Sequence, residues 1–319
     1  MSILVTGGAG YIGSHVVRLL LERGDQVIVA DDISSGVVGR IGQAELVQLD
    51  LSSTDAVASL NAAFEKYSVD AVIHLAARKQ VGESVLRPEF YFEQNIGGMV
   101  NLLTAMQQSK VSKIVFSSSA ATYGMPDVVA VSEDLICQPI NPYGQTKLIG
   151  EWMVANASRA WGLKHASLRY FNVAGAGWPD LADTAVMNLV PIVFKALAEN
   201  RQPAVFGDDY PTPDGSCVRD YVHVLDLAEA HLAALDYLER EDRQSSVFNV
   251  GTGVGSSVFE VLAEIRRVSG IDFETSIEPR RAGDPPRLCA DVSRIKKELG
   301  WEAKRGLAEI IETAWAARS

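Results

Sequence analysis

The sequence predicts an α/β protein in which a doubly wound parallel sheet is followed by a smaller C-terminal lobe. In the first half, short apolar runs alternate with longer amphipathic stretches, which is typical of strands joined by crossover helices. A glycine-rich turn follows the first apolar run directly. After about residue 175 the alternation weakens, and loop-rich stretches such as 208–215 indicate the smaller lobe.

The individual elements follow from hydrophobic periodicity and from the residues that end each run. An amphipathic pattern at 11–23 predicts a helix that Gly24 ends, and further helical patterns cover about 95–108 and 145–160. We expect residues 1–172 to form the sheet domain, with later segments near 215–240 returning to it, and 173–319 to form mainly the smaller lobe. Short apolar runs predict strands at 3–6, 26–30, 69–75, 113–118 and 165–170.

Composition and charge limit the classes of partner. The 319 residues are 47% hydrophobic and 22% charged, which is ordinary for a globular protein, and the formal net charge is −11. Such a charge repels nucleic acid and anionic membranes, so neither is expected as a partner. No signal peptide or membrane-spanning run is recognised, and the cysteines Cys137, Cys217 and Cys289 are odd in number and far apart. We expect a cytoplasmic protein with free thiols and no metal site.

Gly7, Gly10 and Gly13 form a G-x-x-G-x-x-G turn between the first strand and the first helix. The chain must turn tightly there, approach a pyrophosphate and pack the helix against the strand, and glycine allows all three because it lacks a Cβ. The helix N-terminus adds N–H groups and a positive dipole. A tight turn without a ligand is the alternative, but the strand–turn–helix context favours a Rossmann-type dinucleotide site.

Asp31 and Asp32 end the second predicted strand. An acidic side chain at this position accepts hydrogen bonds from an adenosine ribose, and its charge repels a 2′-phosphate. A solvated strand end is the alternative for such a pair in isolation. Together with the glycine turn, the acidic pair predicts NAD, rather than NADP, as the cofactor.

The glycine spacing resembles that of the extended short-chain dehydrogenase/reductase family, which carries a Tyr-x-x-x-Lys pair and a hydroxyl residue upstream. Tyr143 and Lys147 match the pair, and the serine run 117–119 matches the hydroxyl stretch. Residues four apart share a helix face, so both side chains reach one cleft. The Lys147 ammonium and a positive nicotinamide ring would lower the pKa of Tyr143 from about 10, making it a general base. In isolation, each motif is common on surfaces and in turns.

Further stretches, distributed along most of the chain from residue 75 to residue 284, resemble the UDP-glucose 4-epimerases of that family. They include 75–84, 119–124, 169–172, 205–212, 217–223 and 280–284. The resemblance implies catalytic roles for Ser119, Tyr143 and Lys147. It implies NAD contacts from Gly7, Gly10, Tyr11, Ile12, Gly13, Asp31, Asp32, Ile33, Ser34, Ser35, Gly36, Asp50, Leu51, Leu75, Ala76, Ala77, Lys79, Asn95, Ser117, Tyr143, Lys147 and Phe171.

The same resemblance implies that the smaller lobe helps to bind a UDP-sugar. Guanidinium groups bind phosphate oxygens in a bidentate way, so Arg219 and Arg281 are the expected clamp for the diphosphate. Phe206 or Tyr210 would pack against uracil, although Phe206 also suits a core position. The implied substrate contacts are Lys79, Ser119, Tyr143, Asn172, Asn188, Leu189, Val205, Phe206, Tyr210, Arg219, Arg281, Asp284 and Leu288.

The implied reaction interconverts UDP-galactose and UDP-glucose by transient oxidation at sugar C4. Tyr143 removes the 4-hydroxyl proton through Ser119, and the hydride passes to NAD and returns to the opposite face. Sugar 4,6-dehydratases carry an acidic pair where this chain has Ser119-Ala120, and Asp31 disfavours the NADP-dependent reductases. A catalytically silent NAD-binding sensor need not retain Ser119, Tyr143 and Lys147 together.

Three points stay open at this stage. Gln94 lies where many relatives have Asn, and Asn95 follows, so either side chain is a candidate for the cofactor cleft. Leu288 lies where relatives place the residue beside the sugar C2 substituent. Its intermediate size leaves UDP-N-acetylglucosamine 4-epimerase activity, or dual specificity, as an alternative. Apolar residues on several faces of the helices near 95–108 and 147–160 predict a homodimer interface or, alternatively, internal core.

Overall fold

The computed structural model describes residues 1–240, 245–281 and 283–318. Its first six strands form parallel pairs. The strands are β1 Ser2–Thr6, β2 Gln26–Asp31, β3 Glu45–Gln48, β4 Ala71–His74, β5 Lys113–Ser117, β6 Lys164–Tyr170, β7 Asn172–Ala174, β8 Ala204–Phe206, β9 Val218–His223, β10 Ser246–Val250, β11 Gly255–Ser257, β12 Ser276–Glu278 and β13 Arg287–Leu288.

The helices range from one turn to more than five. They are α1 Tyr11–Arg23, α2 Ala56–Tyr67, α3 Val81–Leu86, α4 Pro88–Tyr91, α5 Gly98–Gln108, α6 Pro142–Trp161, α7 Leu189–Ala198, α8 Val224–Glu239, α9 Val258–Ser269, α10 Ser293–Leu299 and α11 Leu307–Ala317. Short 3₁₀ segments occur at Val38–Ile41, Ala120–Tyr123 and Pro179–Leu181, and a π-helical turn at Phe92–Gly97 leads into α5. None of the described helices combines the length and hydropathy that a membrane crossing requires.

The large sheet has the strand order β10-β6-β5-β4-β1-β2-β3 within the described part of the chain. The pairs β1–β2, β1–β4, β2–β3, β4–β5 and β5–β6 are all parallel. The chain runs outward from β1 through β2 and β3 and then returns to β4 on the other side of β1. In such sheets, ligands bind where the strand order reverses, at the carboxyl ends of the strands. The predicted doubly wound α/β fold is confirmed.

Burial explains why the central strands and their helices form where they do. All five residues of β1 are buried, because helices cover both faces of a parallel sheet. Helix α1 buries Val16, Val17 and Leu20, and Gly24 ends it in the left-handed conformation with φ 88°. The Gly24 N–H then reaches the carbonyls of the last turn, a termination that glycine favours. The predicted helix 11–23 is confirmed with the same bounds.

The chain divides into two compact units. The first comprises 1–124, 137–169 and 228–248, and the second comprises 125–136, 170–227 and 249–319. The sequence analysis placed the boundary near residue 172 and the returning segment near 215–240. In the structure, the chain leaves the first unit after residue 169, and segment 228–248 returns to it. Residues 125–136 lie in the second unit, because Val131 N donates to Cys289 O at 2.9 Å and Asn249 Nδ2 donates to Val131 O at 2.8 Å.

The second unit has its own small sheets and its own core. Strands β11, β9 and β13 lie side by side and β7 pairs with β9, while β8 pairs with β12. Its core is formed by apolar faces of α7, α9 and α11 around Val205 and Tyr221. Ser257 begins α9 with a reciprocal cap in which its hydroxyl accepts from Glu260 N and its N–H donates to the Glu260 carboxylate.

Two strands of the large sheet were absent from the sequence-based expectation. Strand β3 reads exposed–intermediate–intermediate–exposed along its four residues, so it lacks the apolar run by which buried strands are recognised. Strand β10 is short and lies beyond the segment expected to return. Helix α6 begins three residues before the expected start, because Asn141 caps it and Pro142 occupies its first position.

Candidate active site

The glycine turn lets α1 approach the end of β1 very closely. A Cβ built on Gly13 would lie 2.1 Å from Gly7 O, and one on Gly7 would lie 2.7 Å from Ala76 N. Gly7 also has φ +71°, a left-handed conformation that favours glycine. Gly10 is the residue before α1, and Tyr11, Ile12 and Gly13 form its first turn. The backbone N–H groups of such a first turn suit a phosphate.

The two acidic residues at the end of β2 have different environments. Asp31 is 7% exposed, and its carboxylate accepts from Ala9 N at 3.0 Å and from Ile33 N at 2.9 Å. Burial raises the pKa of Asp31. Asp32 accepts from Ser34 N and Oγ and forms an ion pair with Arg78. Asp31 therefore attaches the end of β2 to the glycine turn, while Asp32 faces a cation.

The predicted cofactor residues after β2, β3 and β4 lie at the same edge of the sheet. Ser35 and Gly36 follow Ser34, and a Cβ on Gly36 would lie 2.7 Å from Ala9 Cβ. After β3, Asp50 accepts from Ser52 N at 2.8 Å, and Leu51 is buried. After β4 come Leu75, Ala76 and Ala77, all half-buried, and then the exposed Lys79.

The neighbouring side chains of Asn95 and Gln94 have different partners. Asn95 is buried, its Oδ1 accepts from Arg78 N at 2.8 Å, and its Nδ2 donates to Thr146 Oγ1 at 3.0 Å. It lines a cavity of about 10 Å³ with Lys147, whereas Gln94 binds Ser52 Oγ and the Arg78 guanidinium. Of the two side chains, it is therefore Asn95 that lines this cavity.

Helix α6 and the segment after β5 bring Ser119, Tyr143 and Lys147 together. Asn141 Oδ1 accepts from Gly144 N at 2.9 Å and so fixes the first turn of α6. The Ser119 side chain acts on the pKa of Tyr143, and Lys147 Nζ lies 6.0 Å from the centre of the Tyr143 ring. Lys147 Nζ donates to Ser117 O at 2.8 Å. The three predicted catalytic residues thus form one cluster.

Burial controls the ionisation of this cluster. It raises the pKa of Tyr143 above the usual 10.0, and the hydrogen bond with Ser119 acts in the opposite direction. Burial lowers the pKa of Lys147 to about 8. The expected lowering of the Tyr143 pKa included the positive charge of bound nicotinamide, and the protein groups by themselves give the opposite sign.

His74 was not singled out in the sequence, although it is the last residue of β4 and precedes Leu75 directly. Its Nδ1 lies 2.7 Å from Thr6 Oγ1, and its ring stacks on Phe116 with centroids 5.8 Å apart. Burial, and then the charge of Lys147, lowers the pKa of His74 to about 3. The position of a polar residue at the carboxyl end of a central strand was the available signal. The cavity beside it is lined by His74, Ala76, Ala77, Asn95, Met99, Phe116, Thr146, Lys147 and Gly150.

The predicted phosphate clamp lies in the second unit. Arg219 on β9 donates to Val218 O at 2.8 Å and forms an ion pair with Asp284. Leu288 on β13 is in register with Arg219, so the two residues are neighbours in that sheet. The Arg281 guanidinium lies 3.7 Å from the centre of the Phe206 ring. The predicted phosphate-binding cations and the C2-facing residue are thus presented by one small unit.

The other predicted substrate residues of this unit have varied surroundings. Tyr210 is buried, and the Arg280 guanidinium lies 4.3 Å from its ring centre. Asn188 precedes α7 and donates to Asp183 Oδ2 at 3.2 Å. Val205 is 1% exposed, so its backbone, not its side chain, is left for a ligand. The remaining positions are Phe171 before β7, Asn172 on β7 and Leu189 at the start of α7, and Ala282 of the last matching segment lies outside the described residues.

Comparison with known proteins assigns the family. Residues 3–251 match the model described as the NAD dependent epimerase/dehydratase family. The chain belongs to this family. Within the epimerase/dehydratase family, the UDP-glucose 4-epimerase of Halalkalibacterium halodurans is 46% identical over 320 residues, which cover 99% of this chain and 95% of that protein.

Solved structures of epimerases are similar over almost the whole chain. The UDP-glucose 4-epimerase of Brucella ovis in complex with NAD has a TM-score of 0.93 and 41% identity, covering 98% of this chain and 97% of that one. The UDP-Glc/GlcNAc 4-epimerase of Campylobacter jejuni has a TM-score of 0.87 and 41% identity, covering 99% and 98%. This family member is therefore an NAD-dependent enzyme, as the sequence predicted.

NAD fits the residues of the first unit. The glycine turn leaves space that a Cβ would fill, and the first turn of α1 presents N–H groups to a pyrophosphate. Asp32 is partly exposed where β2 ends, which is where an adenosine ribose is expected. Tyr143 and Lys147 lie near the carboxyl end of β5, on the other side of β1 from Asp32. Across the described residues, no cluster of three or more His, Cys, Asp or Glu side chains suits a metal ion.

The low pKa of His74 predicts a pH-dependent stability difference between the wild type and His74→Gln. Between the folded pKa of about 3 and the unfolded value of 6.5, the unfolded chain binds the proton and the folded chain does not. Stability from this group is therefore present above pH 6.5 and is lost as the pH falls towards 3. From pH 7 to pH 4.5, the wild type should lose about 2–3 kcal/mol more than His74→Gln. Urea denaturation at both pH values measures this difference, and equal losses would contradict it.

Proposed function

We propose that the protein is a UDP-glucose 4-epimerase, which interconverts UDP-galactose and UDP-glucose by transient oxidation at sugar C4. The observation that carries the proposal is the cluster of Ser119, Tyr143 and Lys147, in which Lys147 Nζ lies 6.0 Å from the centre of the tyrosine ring and Ser119 acts on the pKa of Tyr143. This cluster lies at the carboxyl edge of an NAD-binding sheet. The named relatives, at 41–46% identity over almost the full chain, favour the same reaction.

In the proposed mechanism, the side chains of the first unit move a proton. Tyr143 accepts the proton of the sugar 4-hydroxyl through Ser119 and later returns it. Lys147 favours the phenolate form of Tyr143 by its charge, and the Ser117 carbonyl holds the ammonium in place at 2.8 Å. Bound NAD supplies the hydride acceptor and donor. Burial of Tyr143 and Lys147, at 7% and 4% exposure, keeps bulk water from competing for the proton.

The nucleotide must stay bound while the sugar presents its other face. We assign the diphosphate to Arg219 and Arg281, since a guanidinium binds phosphate oxygens in a bidentate way. Arg219 is 11% exposed on its side chain and already paired with Asp284, so it is oriented before the substrate binds. The aromatic ring of Phe206 beside Arg281 suits the uracil. Charged contacts thus hold the UDP, and the hexose is held loosely enough to turn.

Other reactions of the family fit these residues less well. Elimination of water in a 4,6-dehydratase needs an acid next to the catalytic hydroxyl, and Ala120 follows Ser119 here. A silent NAD-binding sensor has no need of a buried lysine beside a buried tyrosine, because burying a cation is costly without a function or a partner. Activity measurements separate these alternatives from epimerisation.

Replacing Tyr143 by Phe should remove the proton acceptor and leave the fold and the UDP site in place. We expect epimerisation of UDP-galactose to fall by at least about 10³-fold, the usual range for a general base, with UDP affinity changed little. A coupled assay for UDP-glucose and calorimetric titration with UDP measure the two quantities. Tyr67→Phe is the control, since it removes a phenol at the exposed end of α2. Full activity of Tyr143→Phe would refute the assignment.

N-acetylated UDP-sugars are the second candidate substrates. Leu288 is half-buried and in register with Arg219, so a substituent on the sugar of an Arg219-bound nucleotide lies within reach of this side chain. The Campylobacter jejuni relative is a UDP-Glc/GlcNAc 4-epimerase, which favours dual specificity.

The side chain at position 288 should decide whether the C2 substituent is admitted. Leucine leaves more space than tyrosine, so we expect turnover of both UDP-galactose and UDP-N-acetylgalactosamine by the wild type. Leu288→Tyr should lose most of the N-acetylated activity and retain activity on UDP-galactose. Steady-state assays with both substrates measure the ratio, and Leu288→Met is the control of similar volume. An unchanged ratio in Leu288→Tyr would exclude the role of this residue.

A homodimer formed through α5 and α6 is also part of the proposal. Val100 on α5 and Trp152 on α6 are 49% and 58% exposed, which is high for large apolar side chains. We expect light scattering at micromolar concentration to give twice the mass of 34.5 kDa, and Trp152→Glu to give the monomer mass. A monomeric wild type would contradict the proposal.

A cytoplasmic location is also proposed, because Cys137, Cys217 and Cys289 are free thiols.

A further inference from the structure

The Arg78 guanidinium joins the ends of two strands that are not neighbours. Its Nη2 donates to Asp32 Oδ2 at 2.9 Å, and its Nη1 donates to Ser34 Oγ at 2.8 Å. Arg78 follows β4, and Asp32 and Ser34 follow β2, whereas β1 lies between β4 and β2 in the sheet. Two strand spacings amount to about 10 Å, which a long arginine side chain can cross. The ion pair therefore passes across the carboxyl end of β1.

The glycine turn emerges from that same end of β1 and is flanked by the two segments that the ion pair connects. On one flank, a Cβ on Gly7 would lie 2.7 Å from Ala76 N, two residues before Arg78. On the other flank, a Cβ on Gly36 would lie 2.7 Å from Ala9 Cβ. The reversal of strand order between β1 and β4 is where a dinucleotide enters such a sheet. The Arg78–Asp32 pair thus crosses the entrance to the NAD crevice.

A third segment holds the guanidinium in this orientation. Gln94 Oε1 accepts from Arg78 Nε at 3.2 Å and from Nη2 at 3.1 Å, and Gln94 Nε2 donates to Ser52 Oγ at 2.6 Å. The charge of Arg78 also acts on Asp31 and Asp50, which lie at the same edge. The planar guanidinium presents several N–H donors, and such a group is needed to bind Asp32, Ser34 and Gln94 at the same time.

We infer that Arg78 is a strap across the cofactor crevice, bridging to Asp32 and Ser34 so that bound NAD is released slowly. The side chains of Arg78 and Asp32 are 28% and 29% exposed, so the pair can open to solvent without disturbing the core. Release of NAD then requires several charge-assisted hydrogen bonds to break together. An enzyme that must recover its hydride from the same NAD molecule benefits from this retention.

Exchange of bound NAD for radiolabelled NAD in the full-length holoenzyme tests the strap. We expect Arg78→Met to accelerate exchange about tenfold or more, since it loses the hydrogen bonds to Asp32, Ser34 and Gln94. Arg78→Lys keeps the charge but cannot reach all three partners, so it should also exchange fast. Arg87→Met is the matched control, because Arg87 also stacks on Phe90 but pairs with Glu83. It should exchange at the wild-type rate.

Two results would overturn the inference. Wild-type exchange by Arg78→Met would show that the bridge does not retain NAD. Wild-type exchange by Arg78→Lys, with fast exchange by Arg78→Met, would show that the charge acts without the bridge. The inference rests on the NAD site of the proposed epimerase, but the exchange needs no sugar. Failure of the sugar reaction and failure of the strap are therefore separate outcomes.

Discussion

The buried ion pair between Glu151 and Arg169 holds together the segments of the first unit that carry the proposed catalytic residues Ser119, Tyr143 and Lys147. Each side chain is 6% exposed, Glu151 accepts from Ser118 Oγ, and Arg169 Nη1 donates to Tyr123 OH at 3.0 Å. The pair therefore joins α6, the end of β6 and the segment that contains Ser119. Removing one partner of such a pair leaves an uncompensated buried charge and costs about 3–5 kcal/mol.

Helical spacing connects the Glu151–Arg169 ion pair to Tyr143 and Lys147. Tyr143, Lys147 and Glu151 follow one another at intervals of four residues and so lie along one face of α6. Glu151 fixes the helix beside Ser118, Lys147 fixes it to the Ser117 carbonyl, and Tyr143 then meets Ser119. The position of Tyr143 relative to Ser119 is thus set by two polar contacts further along the helix.

Burial in the same unit opposes the ionisation of both Tyr143 and Lys147. Burial raises the pKa of Tyr143 and lowers that of Lys147 to about 8, so desolvation opposes the charged form of both groups. His74 stays neutral for the same reason and adds no competing positive charge near Lys147. The acidic surface, with net charge −11, is balanced locally by Arg78 at the NAD crevice and by Arg219 and Arg281 in the second unit.

The sequence by itself determined the alternation of strands and helices, the glycine turn, the Tyr143–Lys147 spacing and the family, because these depend on local periodicity and on residues close in the chain. It missed β3, which is partly exposed and leaves little apolar signal, and β10, which lies outside the segment expected to return to the sheet. The tertiary structure decided that Asn95 rather than Gln94 faces Lys147, that Asp31 binds the glycine turn, and that Arg78 reaches Asp32. The hydrogen bonds concerned join residues 22 or more positions apart, and only packing brings such residues within hydrogen-bonding distance.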